Sequence, residues 1–429
     1  MLSDFSDFIK PNQTVAVALS GGGDSMALLH YMLNLAKKYP FNVIAINVEH
    51  GIRGENSKKD TEFVKSYCTK NGIELLCYAV DSLRAANEEK LSVEQAARKL
   101  RYQCFFDAIE KGKCDKVATA HHRNDLAESV LFNLLRGTGI KGTIGIKENF
   151  SDKIIRPFLS VSKQEITDYL TDNNIPFVTD ETNLSDDYTR NSIRHNVMPN
   201  IKKLFPEAEK SIARFAEIAA IEDDFVEQTA NQALTVLSDC IQIKLPLHDA
   251  ILSRAAIIAM KNLGVEKDWE KAHVDAVINL STLNNGAKVN LKNGIIAAKE
   301  YDVLTFYRQT ATEKNELPFS IGNFTLNEIP ITIKRVERPQ NLKDGFFADL
   351  NKIPDGAVIR FKREGDIFTK FGGGTKPLGE YLTDIKIPLR KRDFIPVIAH
   401  GKTILAIIGV AVSNKIKVDD DTKNIIKIN

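Results

Sequence analysis

Six consecutive residues, Ser20-Gly21-Gly22-Gly23-Asp24-Ser25, carry the densest chemical signal in the chain. Contiguous glycines let a backbone turn tightly and present successive N–H groups to an anion, and a helix that follows adds the positive end of its dipole. Ser20 and Ser25 add hydroxyl donors. The segment holds no lysine, and its glycines fit neither the GxxxxGK[ST] nor the GxGxxG spacing. Asp24 is the informative member. A carboxylate beside bound phosphate is repulsive unless a cation intervenes, so Asp24 predicts Mg2+. The plainer alternative is a glycine turn with Asp24 capping the helix.

A second set has the spacing for work on a cation. His121, Asp125 and Glu128 stand at i, i+4 and i+7 and are expected on one stripe of a helix that begins where a strand ends. Two carboxylates there suit an ammonium group, and one of them could share a Mg2+. An ammonium with a pKa near ~10.4 is no nucleophile until it is deprotonated, so a carboxylate that orients it and takes its proton makes chemical sense. His121 and His122 also suit a metal or a helix start. A transition metal needs a third or fourth strong ligand, none is evident, and the role of His121 is left open. Arg98 and Arg101, three apart, suit a phosphate or an RNA backbone, or simply a solvated face with Glu94 paired to Arg98. Arg190 and Arg194 repeat the i, i+4 spacing, and Arg136 precedes Gly137 and Gly139 as a helix end.

The elements that must position these residues alternate. TVAVAL (14–19), NVIAINV (42–48), IELLCYAV (73–80), DKVATA (115–120) and IPFVTD (175–180) read as strands. Helical patterns separate them, two opened by capping boxes, Ser92 with Gln95 and Ser162 with Glu165. Five alternations specify an α/β doubly wound parallel sheet, with ligands at the C-terminal ends of its strands. Residues 206–236 and 249–283 then read as helices, and LKNGII (291–296) as an Asn-Gly hairpin turn. TATEKNELP (310–318) reads as a linker, and 319–429 as a small α+β module of short strands. The expected domains are 1–205, a helical middle at 206–312 with its hairpin, and 318–429. A second glycine triplet, Gly372–Gly374, is expected as a flexible loop against RNA backbone.

At Ser20–Ser25 the chain resembles the PP-loop ATP pyrophosphatases, whose fingerprint is SGGxDS. They cleave ATP between its α and β phosphates, adenylate a substrate oxygen, then displace AMP with a nucleophile. HGIR (50–53), EQAARKLRY (94–102), TAHHRNDLAES (119–129), RGTG (136–139), DETN (180–183) and RNSIRH (190–195) narrow this. In that order they are similar to the tRNA(Ile)-lysidine synthetase family, closely over the first 200 residues or so. KPLG (376–379) and KIP (386–388) are similar in layout only. The resemblance implies an adenine nucleotide α-hydrolase-like fold, ATP and Mg2+ as cofactors, and two substrates, an isoleucine tRNA with a CAU anticodon and free L-lysine. It implies catalytic roles for Asp24, Arg98, Asp125, Glu128 and Arg194. Ser20, Gly21, Gly22, Gly23, Asp24 and Ser25 would bind the nucleotide. His50, Arg53, Arg101, His121, Arg136 and Arg190 would face substrate, with Asp24 and Asp125 on the metal.

Composition agrees with an enzyme of this kind. The chain has 429 residues, 43% hydrophobic and 27% charged, which is ordinary for a globular protein and ample for two or three domains. No apolar run reaches the length of a membrane span and no signal peptide is evident, so a cytoplasmic protein is expected. The net charge of +2 hides an asymmetry: residues 331–417 carry +8 and residues 1–330 carry −5. A basic tail is the footprint of a nucleic-acid binder, so neutralising Arg390, Lys391 and Arg392 is expected to weaken tRNA binding and flatten its salt dependence. Five scattered cysteines form no CxxC, which argues against a thiolating relative that needs a sulfur carrier. An amide-forming synthetase would draw ammonia from a glutaminase, for which no N-terminal cysteine or spare domain is evident. A non-catalytic RNA-binding module would leave Asp24, Asp125 and Glu128 as liabilities beside a polyanion. A homodimer is left open.

Overall fold

A computed structural model describes residues 8–51, 55–178, 191–265, 270–308 and 315–429. Two compact units divide at Phe225/Val226. In the first, β1 (Thr14–Ala18), β2 (Asn42–Glu49), β3 (Leu75–Ala79), β4 (Lys116–Ala118), β5 (Asn149–Phe150) and β6 (Ile154–Ile155) form one sheet in the order β3-β2-β1-β4-β6-β5. All pairings are parallel except that of the edge strand β5 with β6. The helices are α1 (Gly23–Ala36), α2 (Glu55–Asn71), α3 (Ser82–Glu89), α4 (Val93–Glu110), α5 (Arg123–Leu135), α6 (Ile140–Thr143) and α7 (Lys163–Asp172). Both faces of the sheet are covered, which is why β1 reads as unbroken apolar residues. Val15 and Val17 enter a core with Met26, Leu29 and Leu170, while Ala16 enters another with Phe105 and Ala108.

The doubly wound sheet is as expected, and both capping boxes open their helices. Three local expectations change. Residues 175–178 do not form a strand; only Val178 bridges Gly22, and the sheet is extended instead by the two-residue strands β5 and β6. The helix after β4 starts at Arg123, because His122 is extended (φ −125°, ψ 177°), so His121 lies in the preceding loop rather than on the helix. Gly372–Gly374 lies between two antiparallel strands, Ile367–Thr369 and Thr375–Pro377, and is a hairpin turn.

The second unit contains more strand than its helical patterns suggest. Leu234–Val236, Ile241–Lys244, Lys288–Asn290, Ile295–Glu300 and Val303–Arg308 make a five-stranded antiparallel sheet packed on the helices Asp249–Asn262 and Lys271–Thr282. Strands of three to six residues are too short to show a period in sequence. The Asn-Gly turn is present, with Asn293 (φ 57°) and Gly294 (φ 70°) both left-handed. Residues 316–428 form a seven-stranded and a four-stranded sheet.

Arg390 is not the free surface cation expected of the basic tail. Its side chain is 6% exposed and pairs with Asp239 (2.6 Å) and Glu300 (3.5 Å), both carried by the middle segment. Glu300 is itself buried. Removing one member of such a pair leaves an uncompensated buried charge. Arg390→Ala is therefore expected to lower unfolding free energy by about 3 kcal/mol in urea denaturation. The salt slope of RNA binding should respond to Lys391, which is largely exposed, and not to Arg390.

Candidate active site

The strand order reverses between β1 and β4, so the loops leaving their C-terminal ends diverge and open a crevice, where ligands of such sheets sit. A cavity of about 490 Å3 occupies it. The glycine loop forms one wall, and its three glycines are there for different reasons. Gly21 is left-handed (φ +90°), a conformation that side chains rarely adopt. A Cβ on Gly23 would sit 3.0 Å from Leu170. Gly22 caps α1 with extended backbone. Ser25 Oγ donates to Gly22 O (2.8 Å) and accepts from Ser20 N (3.2 Å), which closes the loop on itself. Ser20, Asp24 and Ser25 line the cavity, and the first-turn N–H groups of α1 lack helical acceptors. Asp24 accepts from Lys163 Nζ at 2.5 Å.

The opposite wall is cationic. Arg98 and Arg101 both line the cavity, and among the described residues neither lies within ion-pair distance of a carboxylate. Burial, then the neighbouring Arg98, lowers the pKa of Arg101. The Arg98 guanidinium lies 5.2 Å from the Tyr102 ring, and Tyr102 Oη accepts from the buried Arg156 (3.1 Å). His50 and His121 are held neutral. Burial, then Arg101, lowers the His50 pKa to about 4, and burial, then Arg156, Arg98 and Arg101, takes His121 well below its usual value. His121 Nδ1 is 2.9 Å from Thr119 Oγ1, while His50 Nδ1 is buried without a partner among the described residues.

The unfolded His50 imidazole takes its proton near 6.5, the folded one only near 4. Its contribution is thus complete above about pH 6.5 and declines as pH falls toward 4. The wild type is expected to lose about 3 kcal/mol more than His50→Asn between pH 7 and pH 4, read from urea unfolding at the two values.

On α5, Asp125 and Glu128 meet Arg194. Arg194 Nε donates to Glu128 Oε1 (2.8 Å), and Nη2 donates to Glu128 Oε2 (2.7 Å) and Asp125 Oδ1 (2.8 Å). Hydrogen bonding to Glu128 raises the Arg194 pKa further. Asp125 Oδ2 accepts from the His122 backbone (3.0 Å). Two carboxylates against one guanidinium leave one net negative charge, the complement of an ammonium.

The cavity thus gathers Ser20, Asp24, Ser25, His50, Arg98, Arg101, His121, Asp125, Glu128 and Arg194. Arg136 is not among its lining; it is exposed at the end of α5, 5.2 Å from the Phe132 ring. Arg53 and Arg190, with Asp180–Asn183, lie outside the described residues. Sequence reasoning missed Lys163 and Arg156. The Ser162–Glu165 box signalled only that a helix starts at Lys163. His122 was legible as a helix start, and its Nε2 lies 3.4 Å from Asp125 and 3.9 Å from Asp24.

Comparison with known proteins settles the family. A PP-loop domain model matches residues 2–201 and a TilS substrate C-terminal domain model matches 357–428. The tRNA(Ile)-lysidine synthase of Caldanaerobacter subterraneus subsp. tengcongensis is 33% identical over 448 residues, covering 98% of this chain and 94% of the relative. The chain belongs to the tRNA(Ile)-lysidine synthase family. The synthases of Clostridium tetani (31% identical, 98% of this chain, 95% of the relative) and Clostridium acetobutylicum (32%, 99% and 96%) agree. The synthase family brings ATP through its PP-loop domain, and the serine and glycine loop described above lies inside the matched segment. Among the described residues no helix is long and apolar enough to cross a membrane.

Proposed function

We propose that this chain joins L-lysine to C2 of the wobble cytidine in an isoleucine tRNA with a CAU anticodon. Cytosine O2 attacks the α-phosphate of ATP, forming the O–P bond and releasing pyrophosphate. The lysine ε-amine then attacks C2 and loses a proton, and the C2–O bond breaks as AMP leaves with that oxygen. The observation that carries this reading is the segregation of charge within one cavity. Arg98 and Arg101, which among the described residues lie within ion-pair distance of no carboxylate although Glu94 shares their cavity, stand ready for phosphate or RNA, and the Asp125–Glu128–Arg194 group offers one net negative charge for an ammonium. The first step builds charge on phosphate oxygens, which fixed cations stabilise.

Among the described residues no group of three His, Cys, Asp or Glu is arranged to hold a metal. Mg2+ asks for less, one or two carboxylates with phosphate and water completing its shell, and Asp24 and Asp125, both beside His122 Nε2, fit that donor set. When bound it would polarise the phosphoryl oxygens. Lys163 neutralises Asp24 in its absence.

Purified protein with Mg2+, ATP and labelled lysine is expected to place base-stable label in the isoleucine tRNA transcript, with AMP formed. The methionine tRNA bearing the same anticodon should stay unlabelled. AMP release with another donor or another RNA, and no lysine label, would keep the adenylating site and discard the lysidine assignment.

A further inference from the structure

The second unit contains a cavity that the reaction above does not use. It measures about 460 Å3, and its wall combines five rings, Phe346, Phe347, Phe368, Phe371 and Tyr381, with aliphatic side chains and Lys370. The rings come from separate elements. Phe346 and Phe347 open the strand Phe346–Asp349, Phe368 lies in Ile367–Thr369, and Tyr381 lies on the helix Leu378–Asp384. Lys370 and Phe371 sit at the glycine hairpin turn between Ile367–Thr369 and Thr375–Pro377. Phe368 is buried, with its ring centroid 4.6 Å from that of Tyr381, and forms the floor. Phe371 is 57% exposed and so presents its ring at the mouth of the cavity.

The rim is cationic. Lys427 Nζ lies 5.7 Å from the Phe347 ring centroid and Lys376 Nζ lies 5.7 Å from that of Tyr381. Lys376 also pairs with Asp384. Among the described residues, neither Lys370 nor Lys427 is within ion-pair distance of a carboxylate. Among the described residues no acidic side chain lines the cavity. Flat rings with ammonium groups at their edge match a flat unsaturated body linked to phosphates. An apolar peptide side chain would use the rings and leave the lysines unanswered.

We propose that this cavity is a second RNA subsite, which stacks one unpaired nucleobase of the substrate outside the anticodon while Lys370 and Lys427 hold its flanking phosphates. The target cytidine must enter the cavity beside Asp24, which shares no residue with this one, so the stacked base is a different base of the same RNA. The inference rests on the reading that a tRNA is the substrate.

The test compares wild type with Phe371→Ala, Phe371→Trp and Phe347→Ala, on full-length tRNA and on tRNA lacking its four 3′ nucleotides. Replacing an exposed ring leaves the core intact, and thermal unfolding of the Phe371 variants should match wild type. Stacking is worth about 1–3 kcal/mol per base, so Phe371→Ala should raise the KM for tRNA roughly 5- to 150-fold with kcat nearly unchanged. Phe371→Trp should restore it, and Phe347→Ala should repeat the loss. If the shortened tRNA has already lost this affinity and no longer senses the substitution, the stacked base belongs to the 3′ end; if it still senses it, the base lies elsewhere in the RNA. Equal KM for wild type and both alanine variants on full-length tRNA would overturn the subsite. Absence of lysine transfer by wild type would instead strike the proposed reaction, because the affinity difference between variants is read by direct tRNA binding as well.

Discussion

Asp24→Ala releases pyrophosphate at least about 100-fold more slowly than wild type, yet unfolds at the same urea concentration; that is the expected result. The carboxylate stands at the start of α1, where an N-terminal acid is mildly favourable, and its short ion pair is with Lys163, half-exposed and worth little to stability. Its loss therefore costs the fold little. Its loss at the site is different, since nothing else in the glycine loop carries a negative charge to hold a cation against the polyphosphate. Lys163→Ala provides the contrast: it frees Asp24 and should leave the requirement for Mg2+ in place. Normal pyrophosphate release by Asp24→Ala would remove the metal from this position.

Arg194→Ala has the second large effect, and it falls on stability and chemistry together. The Glu128 side chain is 6% exposed and accepts two hydrogen bonds from Arg194. Without the guanidinium it becomes a buried, unpaired carboxylate, a loss of roughly 3–5 kcal/mol. The paired substitution Arg194→Ala with Glu128→Gln should recover most of that stability but not lysine transfer, because the one net negative charge that is left then rests on Asp125 alone, without the guanidinium that orients it. Urea unfolding and single-turnover lysine incorporation on pre-adenylated tRNA separate the two. Full transfer by the double variant would take both residues out of the site.

What was legible in the sequence was what is local. The glycine loop, the first four strands and the capping boxes at Ser92 and Ser162 each depend on residues within a few positions of one another. So does the proximity of Asp125 to Glu128, one turn apart on α5. The partners that give these residues their charge state are distant in sequence: Lys163 is 139 positions from Asp24, and Arg194 is 66 from Glu128. No spacing rule reaches that far; the strand order brings them together. The mistaken strand at 175–178 has a related cause. Its apolar, β-branched run is consumed by packing Ile175 into the core and by one bridge at Gly22, leaving no ladder to extend. Arg390 misled in the other direction, since a basic run is read as surface until a buried acid elsewhere in the chain is found to answer it.

That last pairing bears on how freely this chain could be cut or recombined. A protein ending at residue 308 would keep Glu300 and Asp239 and lose the cation that sits against them. The C-terminal module is thus not a detachable accessory. A truncated chain would need Glu300 replaced by a neutral residue to be stable, and a chimera that borrows a relative's tail would need that tail to bring an arginine to the same spot.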